Sequence, residues 1–268
     1  MEKGLQIMDC HVHIGKFKNR VNSAEDVIMT LRNIGVSRWA CMPVITLNKT
    51  TFSNDLTIYR KVKELAPSES EIILLITPEM LNLSPDLRYL NEVSSKMIKV
   101  HGYLHQWNPN GNPLIRLMSI ARECKMSVMF HTGGRTQCYA GKYSMLASRF
   151  KDVPIIFAHG RPINQAIRIM KKCDNVYVDT AFMPIEDIRM VVNEGLGDRV
   201  IFGTDFPINR HFYKNMPDEI WYKTIVDGLL QEFGEELFMK WSNANFIKFF
   251  GENDIRKITQ KHNAFSDK

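Results

Sequence analysis

The chain has 268 residues, 44% of them hydrophobic and 24% charged, with 15 glycines and 11 prolines. This composition supports a sizeable buried core and excludes collagenous, coiled-coil and disordered classes. Its 35 lysines and arginines against 29 acids leave a formal charge of +6, but the basic residues are scattered, so no nucleic-acid partner is expected. The longest apolar runs, Ile72 to Ile76 and Pro154 to Ala158, fall far short of the ~18 residues of a membrane span. Met1 to Gln6 lack the charged-then-apolar order of a signal peptide, so the expectation is a cytoplasmic protein without a membrane partner. Cys10, Cys41, Cys124, Cys138 and Cys173 are odd in number, widely spaced and without a C-x-x-C pair, which reads as reduced thiols.

Eight short runs rich in Val, Ile, Leu and Phe recur along the chain. They are Leu5 to Ile14, Val36 to Ile45, Glu71 to Thr77, Met97 to His101, Ser127 to His131, Pro154 to His159, Asn175 to Thr180 and Arg199 to Thr204. Most are apolar on both faces, as strands are when helices cover one side and a packed interior the other. Helix signals fall between them: Ser23 leads Ala24 to Ile34 and Gly35 closes it, while Ser84-Pro85 and Asn112-Pro113 each offer a cap followed by proline. Pro162, Pro184 and Pro217 start further helices. The stretch from Pro217 to Phe250 reads as two helices joined near Gly234 and ended by Gly251. The alternation predicts an α/β fold, a distorted (β/α)8 TIM barrel with extra C-terminal helices. It forms a single domain over 1–251, followed by a polar tail over 252–268.

Active sites of such barrels lie at the C-terminal ends of the strands, and the unusual residues of this chain gather there. Asp9-Cys10-His11-Val12-His13 closes the first run, Lys99-Val100-His101 the fourth, His131-Thr132-Gly133-Gly134 the fifth, His159-Gly160 the sixth and Gly203-Thr204-Asp205-Phe206-Pro207 the eighth. Residues two apart on a strand share a face, so His11 and His13 can converge on one ion, although an isolated H-x-H is as often two unrelated histidines. His131 and Asp205 would complete three nitrogens and one carboxylate. That set suits zinc, with manganese or iron as alternatives, at an open catalytic site. His159 reads as a group that holds the water or a substrate oxygen, against the alternatives of a ligand or a buried structural histidine. Lys99 is open between a carbamylated bridge to a second metal, an ammonium paired with an acidic substrate group, and a solvated lysine. Arg135, Arg161 and Arg210 each follow a ligand-bearing strand and could fork onto a carboxylate or phosphate. His101 and Tyr103 are further substrate-binding candidates; Tyr103, His105, Trp107 and Tyr139 could wall a pocket or simply pack their loops. Cys10 alternates away from His11 and His13 and reads as core.

These motifs, spread from Asp9 to Pro207, resemble the metal-dependent amidohydrolase superfamily. The likeness is to its amidohydrolase-related branch, which holds aminocarboxymuconate semialdehyde decarboxylase-like and dicarboxylate-hydrolysing enzymes. Asn243-Ala244-Asn245-Phe246-Ile247-Lys248-Phe249-Phe250-Gly251 resembles that branch's closing helix, normally Asn-Ala-x-Arg-Leu-Phe, with Ile247 or Lys248 in place of the arginine. The resemblance implies one divalent metal on His11, His13, His131 and Asp205, with Asp205 also taking the proton of metal-activated water and His159 polarising the substrate. It implies a homodimer, as is common in the branch. Lactonase and phosphotriesterase relatives place a bridging carbamylated lysine after a similar Ile-Lys-Val, which keeps the two-metal alternative at Lys99 open. The expected function is hydrolysis of a small, anionic, carboxylated ester, lactone or amide. The rivals are non-oxidative decarboxylation of an acidic aromatic or muconate-type compound, and a barrel that binds metal or ligand without turnover.

Overall fold

The computed structural model describes residues 5–44, 52–83 and 93–251. The proposed tail and the helix expected from Ser84-Pro85 lie outside these. Strands β1 (Ile7–Phe17), β2 (Arg20–Asn22), β3 (Val36–Pro43), β4 (Ser70–Leu75), β5 (Ser95–Val100), β6 (Ser127–His131), β7 (Ile155–Ala158), β8 (Val176–Asp179) and β9 (Val200–Ile201) form one sheet in the order β2-β1-β3-β4-β5-β6-β7-β8-β9. Every pairing from β1 to β9 is parallel, and only the short β2 folds back antiparallel on Gly15 to Phe17. The eight parallel strands match the eight apolar runs of the sequence. β2 carries no such run and is held by the turn after β1.

The ring closes through main-chain bonds between β1 and the chain after β9. Cys10 N donates to Phe202 O (3.0 Å), Asp205 N to His11 O (2.8 Å) and His13 N to Phe206 O (2.6 Å). Asp9, fully buried beneath this seam, accepts from Thr204 Oγ1 (2.5 Å), Thr204 N (3.1 Å), His11 N (2.9 Å) and Tyr222 Oη (3.2 Å). Burial pushes its carboxyl up to about 7, against the pull of these donors.

Helices α1 (Ala24–Ile34), α2 (Phe52–Leu65), α3 (Pro78–Leu83), α4 (Asn112–Glu123), α5 (Ser144–Arg149), α6 (Ile163–Met170), α7 (Ile185–Asn193), α8 (Asn209–Phe212), α9 (Asp218–Met239) and α10 (Asn245–Phe250) surround the ring. Ser23 caps α1 by accepting from Asp26 N (3.2 Å), and Gly35 ends it at φ 92°, a conformation that costs glycine little. Gly111 rather than Asn112 takes the cap position of α4, so no side-chain oxygen caps that helix. Gly234 breaks α9 at φ 79°, ψ 163°, as its sequence position suggested. Among the described residues no helix is long and apolar enough to cross a membrane.

The core has two shells. The outer one lies between sheet and helices, and includes Val12, Ile14, Trp39, Phe130, Phe157 and Trp241. The inner one fills the barrel with Met8, Cys10, Met42, Ile73, Met97, Met129, Ile156, Ala158 and Tyr177, and α10 plugs its floor with Phe246, Phe249 and Phe250. Strand periodicity then fixes what stands above this interior: two residues beyond Met97, Met129 and Tyr177 come Lys99, His131 and Asp179. β1 departs from this periodicity. Its register against β3 shifts between Asp9 and Val12, and such a bulge re-aims side chains, so that both Cys10 and the His11/His13 pair face inward.

If the Asp9 seam holds the ring shut, Thr204→Val leaves the buried carboxyl short of its shortest bond. We expect a loss of about 1–3 kcal/mol, seen as a lower urea midpoint with an unchanged slope; an unchanged midpoint would count against the seam.

Candidate metal centre

At the C-terminal mouth of the barrel lies a cavity of about 530 Å³ lined by His11, His13, Lys99, His101, His131, His159, Arg161 and Asp205, with Phe17, Phe182, Phe212 and Tyr213 toward its rim. The ligand atoms of His11, His13 and Asp205 lie within 4.8 Å of one another. Asp205 Oδ1 is 3.3 Å from His11 Nε2 and 2.8 Å from His13 Nε2.

The far edge of each ring decides what these nitrogens offer. His11 Nδ1 donates to Asp179 Oδ2 (2.7 Å), His13 Nδ1 to Pro43 O (3.2 Å) and His159 Nδ1 to Ala181 O (2.9 Å). A carbonyl only accepts, so the ring proton sits on Nδ1 and a neutral ring turns its Nε2 lone pair toward the cavity. Burial, followed by the nearby Lys99, pushes His11 down to about 4 and keeps it neutral. Burial acts to raise Asp205, but His11, His13 and His159 outweigh it and hold the carboxyl below the usual range. Two ring nitrogens and a carboxylate oxygen thus meet; with Nδ1–H on both rings each faces the others as an acceptor, a set that a shared proton at the 2.8 Å His13–Asp205 contact, or a metal ion, can bridge. A divalent ion fits it: nitrogen and carboxylate donors, buried, with the rings locked in the ligating tautomer.

Asp179 is the site residue that motif reading missed. It is fully buried, and its Oδ1 accepts from His159 N (2.8 Å) and Ala181 N (3.2 Å) while Oδ2 holds His11. One carboxylate therefore holds the His11 imidazole and the main chain of His159, which come from different strands. The signal available was an acid closing the apolar run Val176-Tyr177-Val178.

The remaining candidates are placed as follows. His131 shares the cavity, edge-on to His159 (ring centroids 4.8 Å apart) and stacked on His101 (3.9 Å, 13°), outside the trio whose ligand atoms converge. Burial lowers both His131 and His101, the latter to about 2. Lys99 is 1% exposed, with Nζ 3.2 Å from His11 Nε2 and 3.3 Å from Met129 Sδ, and burial lowers its pKa. Arg161 lines the cavity and donates to Phe182 O. Arg135 lies over the ring of the exposed Tyr103 at 5.3 Å; neither is among the lining residues. Arg210 is buried and bound to Asp218, Asp26, Asn22 and Thr30, facing a neighbouring pocket. Trp107 packs in the outer core.

His159 and Asp205 both have left-handed backbone, φ 70° and 65°, a conformation costing about 1–3 kcal/mol outside glycine and concentrated at functional sites. The turn at His159 matters for aim. Ile156 and Ala158 face the interior, so regular strand would point His159 outward, and the positive φ returns its ring to within 5.4 Å of that of His11.

The family model described as amidohydrolase matches residues 86–253. No curated protein matches the chain in sequence. Among solved structures, a probable 2-pyrone-4,6-dicarboxylic acid hydrolase from Acinetobacter baumannii, with citric acid bound, is similar over 92% of this chain and 100% of its own, with a TM-score of 0.65 and 12% identity. A 2,6-dihydroxybenzoate decarboxylase complexed with 2,6-dihydroxybenzoate is similar over 92% and 98% (TM-score 0.63, 11% identity). A 5-carboxyvanillate decarboxylase from Sphingomonas paucimobilis is similar over 92% and 99% (TM-score 0.67, 8% identity). At such identities the likeness establishes the shared barrel fold.

Asp179→Asn replaces one acceptor oxygen with a donor where His11, His159 and Ala181 all present N–H groups. Metal affinity, read by competition with a chromophoric chelator, should fall about 10–100-fold; unchanged affinity would remove Asp179 from the site.

Proposed function

The chain belongs to the amidohydrolase family and is an enzyme of that superfamily, and on that premise we propose that it is a metal-dependent hydrolase of a small carboxylated ester, lactone or amide. The observation that carries this reading is the convergence of His11 Nε2, His13 Nε2 and Asp205 Oδ1 in a closed-floored cavity that also presents Lys99 and Arg161. These three residues would hold one divalent ion, with His131 as the remaining donor of the set; zinc suits the mixture of imidazole and carboxylate, and manganese or iron are the alternatives. When bound, such an ion supplies Lewis acidity, lowering the pKa of water from about 15.7 toward about 7 and polarising a carbonyl oxygen.

The protein groups divide the remaining work. Asp205 stays ionised, and because Oδ1 faces His11 and His13, Oδ2 is the atom left to take a proton from the attacking water. His159, with its Nδ1–H spent on Ala181, offers a lone pair from a neutral ring, so it accepts a hydrogen bond and orients the water. This differs from the polarising role inferred from sequence, which needs a proton on Nε2. Lys99 and Arg161 give the cavity positive charge suited to an acidic substrate. Phe17, Phe182 and Phe212 at the rim reduce access of bulk water and strengthen these interactions.

The structural relatives named above include a probable 2-pyrone-4,6-dicarboxylic acid hydrolase and two decarboxylases of aromatic acids, all named for small acidic compounds. Purified enzyme should open a lactone such as 2-pyrone-4,6-dicarboxylate with no release of carbon dioxide, lose activity on chelation and regain it on adding zinc or manganese. Asp205→Asn should lower kcat at least about 100-fold. Carbon dioxide as the product would replace hydrolysis by decarboxylation, and full activity in the Asp205 variant would overturn the base assignment.

A further inference from the structure

Five imidazoles share one cavity, and the Nδ1 partners of four of them divide these four into two kinds. His11, His13 and His159 meet acceptors at Nδ1 and so aim Nε2 lone pairs inward. His101 is the reverse: the backbone N–H of Leu104 donates to its Nδ1 at 3.2 Å. A backbone amide can only donate, so this Nδ1 carries the lone pair and the ring proton sits on Nε2. In that tautomer Nε2 cannot ligate a metal or accept a proton; it can only give a hydrogen bond. Among the described residues no protein acceptor meets it.

The ring is held in this orientation. The turn after β5 is tied by His105 N to His101 O (3.2 Å) and Trp107 N to Gly102 O (2.9 Å), which fixes where the Leu104 N–H points. The imidazole lies flat on His131, 3.9 Å away at 13°. Lys99 precedes it by two residues on β5, and Lys99, His101 and Arg161 all line the cavity, where Asp205 is the sole lining carboxylate among the described residues. N–H donors therefore mark one set of cavity residues and lone pairs with a carboxylate mark the other. Lys99 Nζ, 3.2 Å from His11 Nε2, links the two sets, so a substrate's carboxylate at the donors would lie beside its reacting carbonyl.

We propose that His101 is a specificity-determining residue that gives its Nε2–H to a carboxylate oxygen of the substrate and does not ligate the metal. This deepens the reading of the same site as one for a carboxylated substrate and rests on it. Arg161 and Lys99 supply charge to that carboxylate, and His101 supplies a direction, since its single N–H is set by the Leu104 amide.

The test compares metal-loaded wild type, His101→Phe and His101→Gln. Phenylalanine keeps the stacking on His131 without a donor, and the glutamine amide restores an N–H near the position of Nε2. The probe is benzene-1,3-dicarboxylate, which presents carboxylates and has no bond to hydrolyse, titrated by calorimetry alongside metal content by elemental analysis. We expect His101→Phe to bind it about 10–100-fold more weakly, His101→Gln to recover most of that loss, and metal content to stay at the wild-type value in both. Loss of metal in His101→Phe would make His101 a ligand, and equal binding by all three proteins would remove it as a donor; either result overturns the proposal while leaving the hydrolase reading intact. Failure of the wild type to bind the dicarboxylate at all would overturn the carboxylate-binding part of both readings. Should His101→Phe not fold, two-bond ¹H–¹⁵N spectra of the wild type decide: a proton on Nε2 supports the assignment, and one on Nδ1 refutes it.

Discussion

Eight parallel strands leave one seam, between the first strand and the chain that follows the last, and the site is built across it. The main-chain bonds from Cys10 to Phe202, from Asp205 to His11 and from His13 to Phe206 bring together two segments nearly two hundred residues apart in sequence. Asp9 secures them from below with four donors converging on one buried carboxyl. Because His11 and His13 lie on one side of the seam and Asp205 on the other, any opening there separates the three candidate ligands. Gly203 belongs to the same constraint: a Cβ at this position would lie 2.9 Å from His11 Cβ and 3.0 Å from Cys10 Sγ, so only the smallest residue lets the two segments approach this closely.

Above the seam, function is set less by which residues are present than by where each ring proton is held. Asp179, Pro43 O and Ala181 O hold protons on Nδ1 of three of the five cavity histidines, and the Leu104 amide excludes one from Nδ1 of His101. None of these four partners lies beside its histidine as part of a recognisable motif, and three of them are backbone groups whose side-chain identity is immaterial. The same histidines with other partners would present other chemistry to the cavity. Arg210 illustrates the point from the opposite side, since Asp26 and Asp218 occupy its guanidinium and leave it a structural tie between α1 and α9.

The strands, the starts of about half the described helices and the clustering of histidines at strand ends were legible in the sequence. They depend on local quantities: apolar runs of strand length, the Ser23 and Gly35 cap signals, proline at helix starts, and polar residues such as Lys99 and His131 closing apolar runs. The short β2 and the cap at Gly111 were not legible, because the first is held by pairing with Gly15 to Phe17 and the second by backbone geometry. Tertiary structure decided the aim of the site. It supplied the bulge that turns His11 and His13 inward beside Cys10, the left-handed turn that brings His159 back over the interior, and the distant acceptors that select each tautomer. A chain's own periodicity determines which face a residue would take on a regular strand, but departures from that face cost free energy locally. They persist only because contacts from elsewhere in the fold offset the cost.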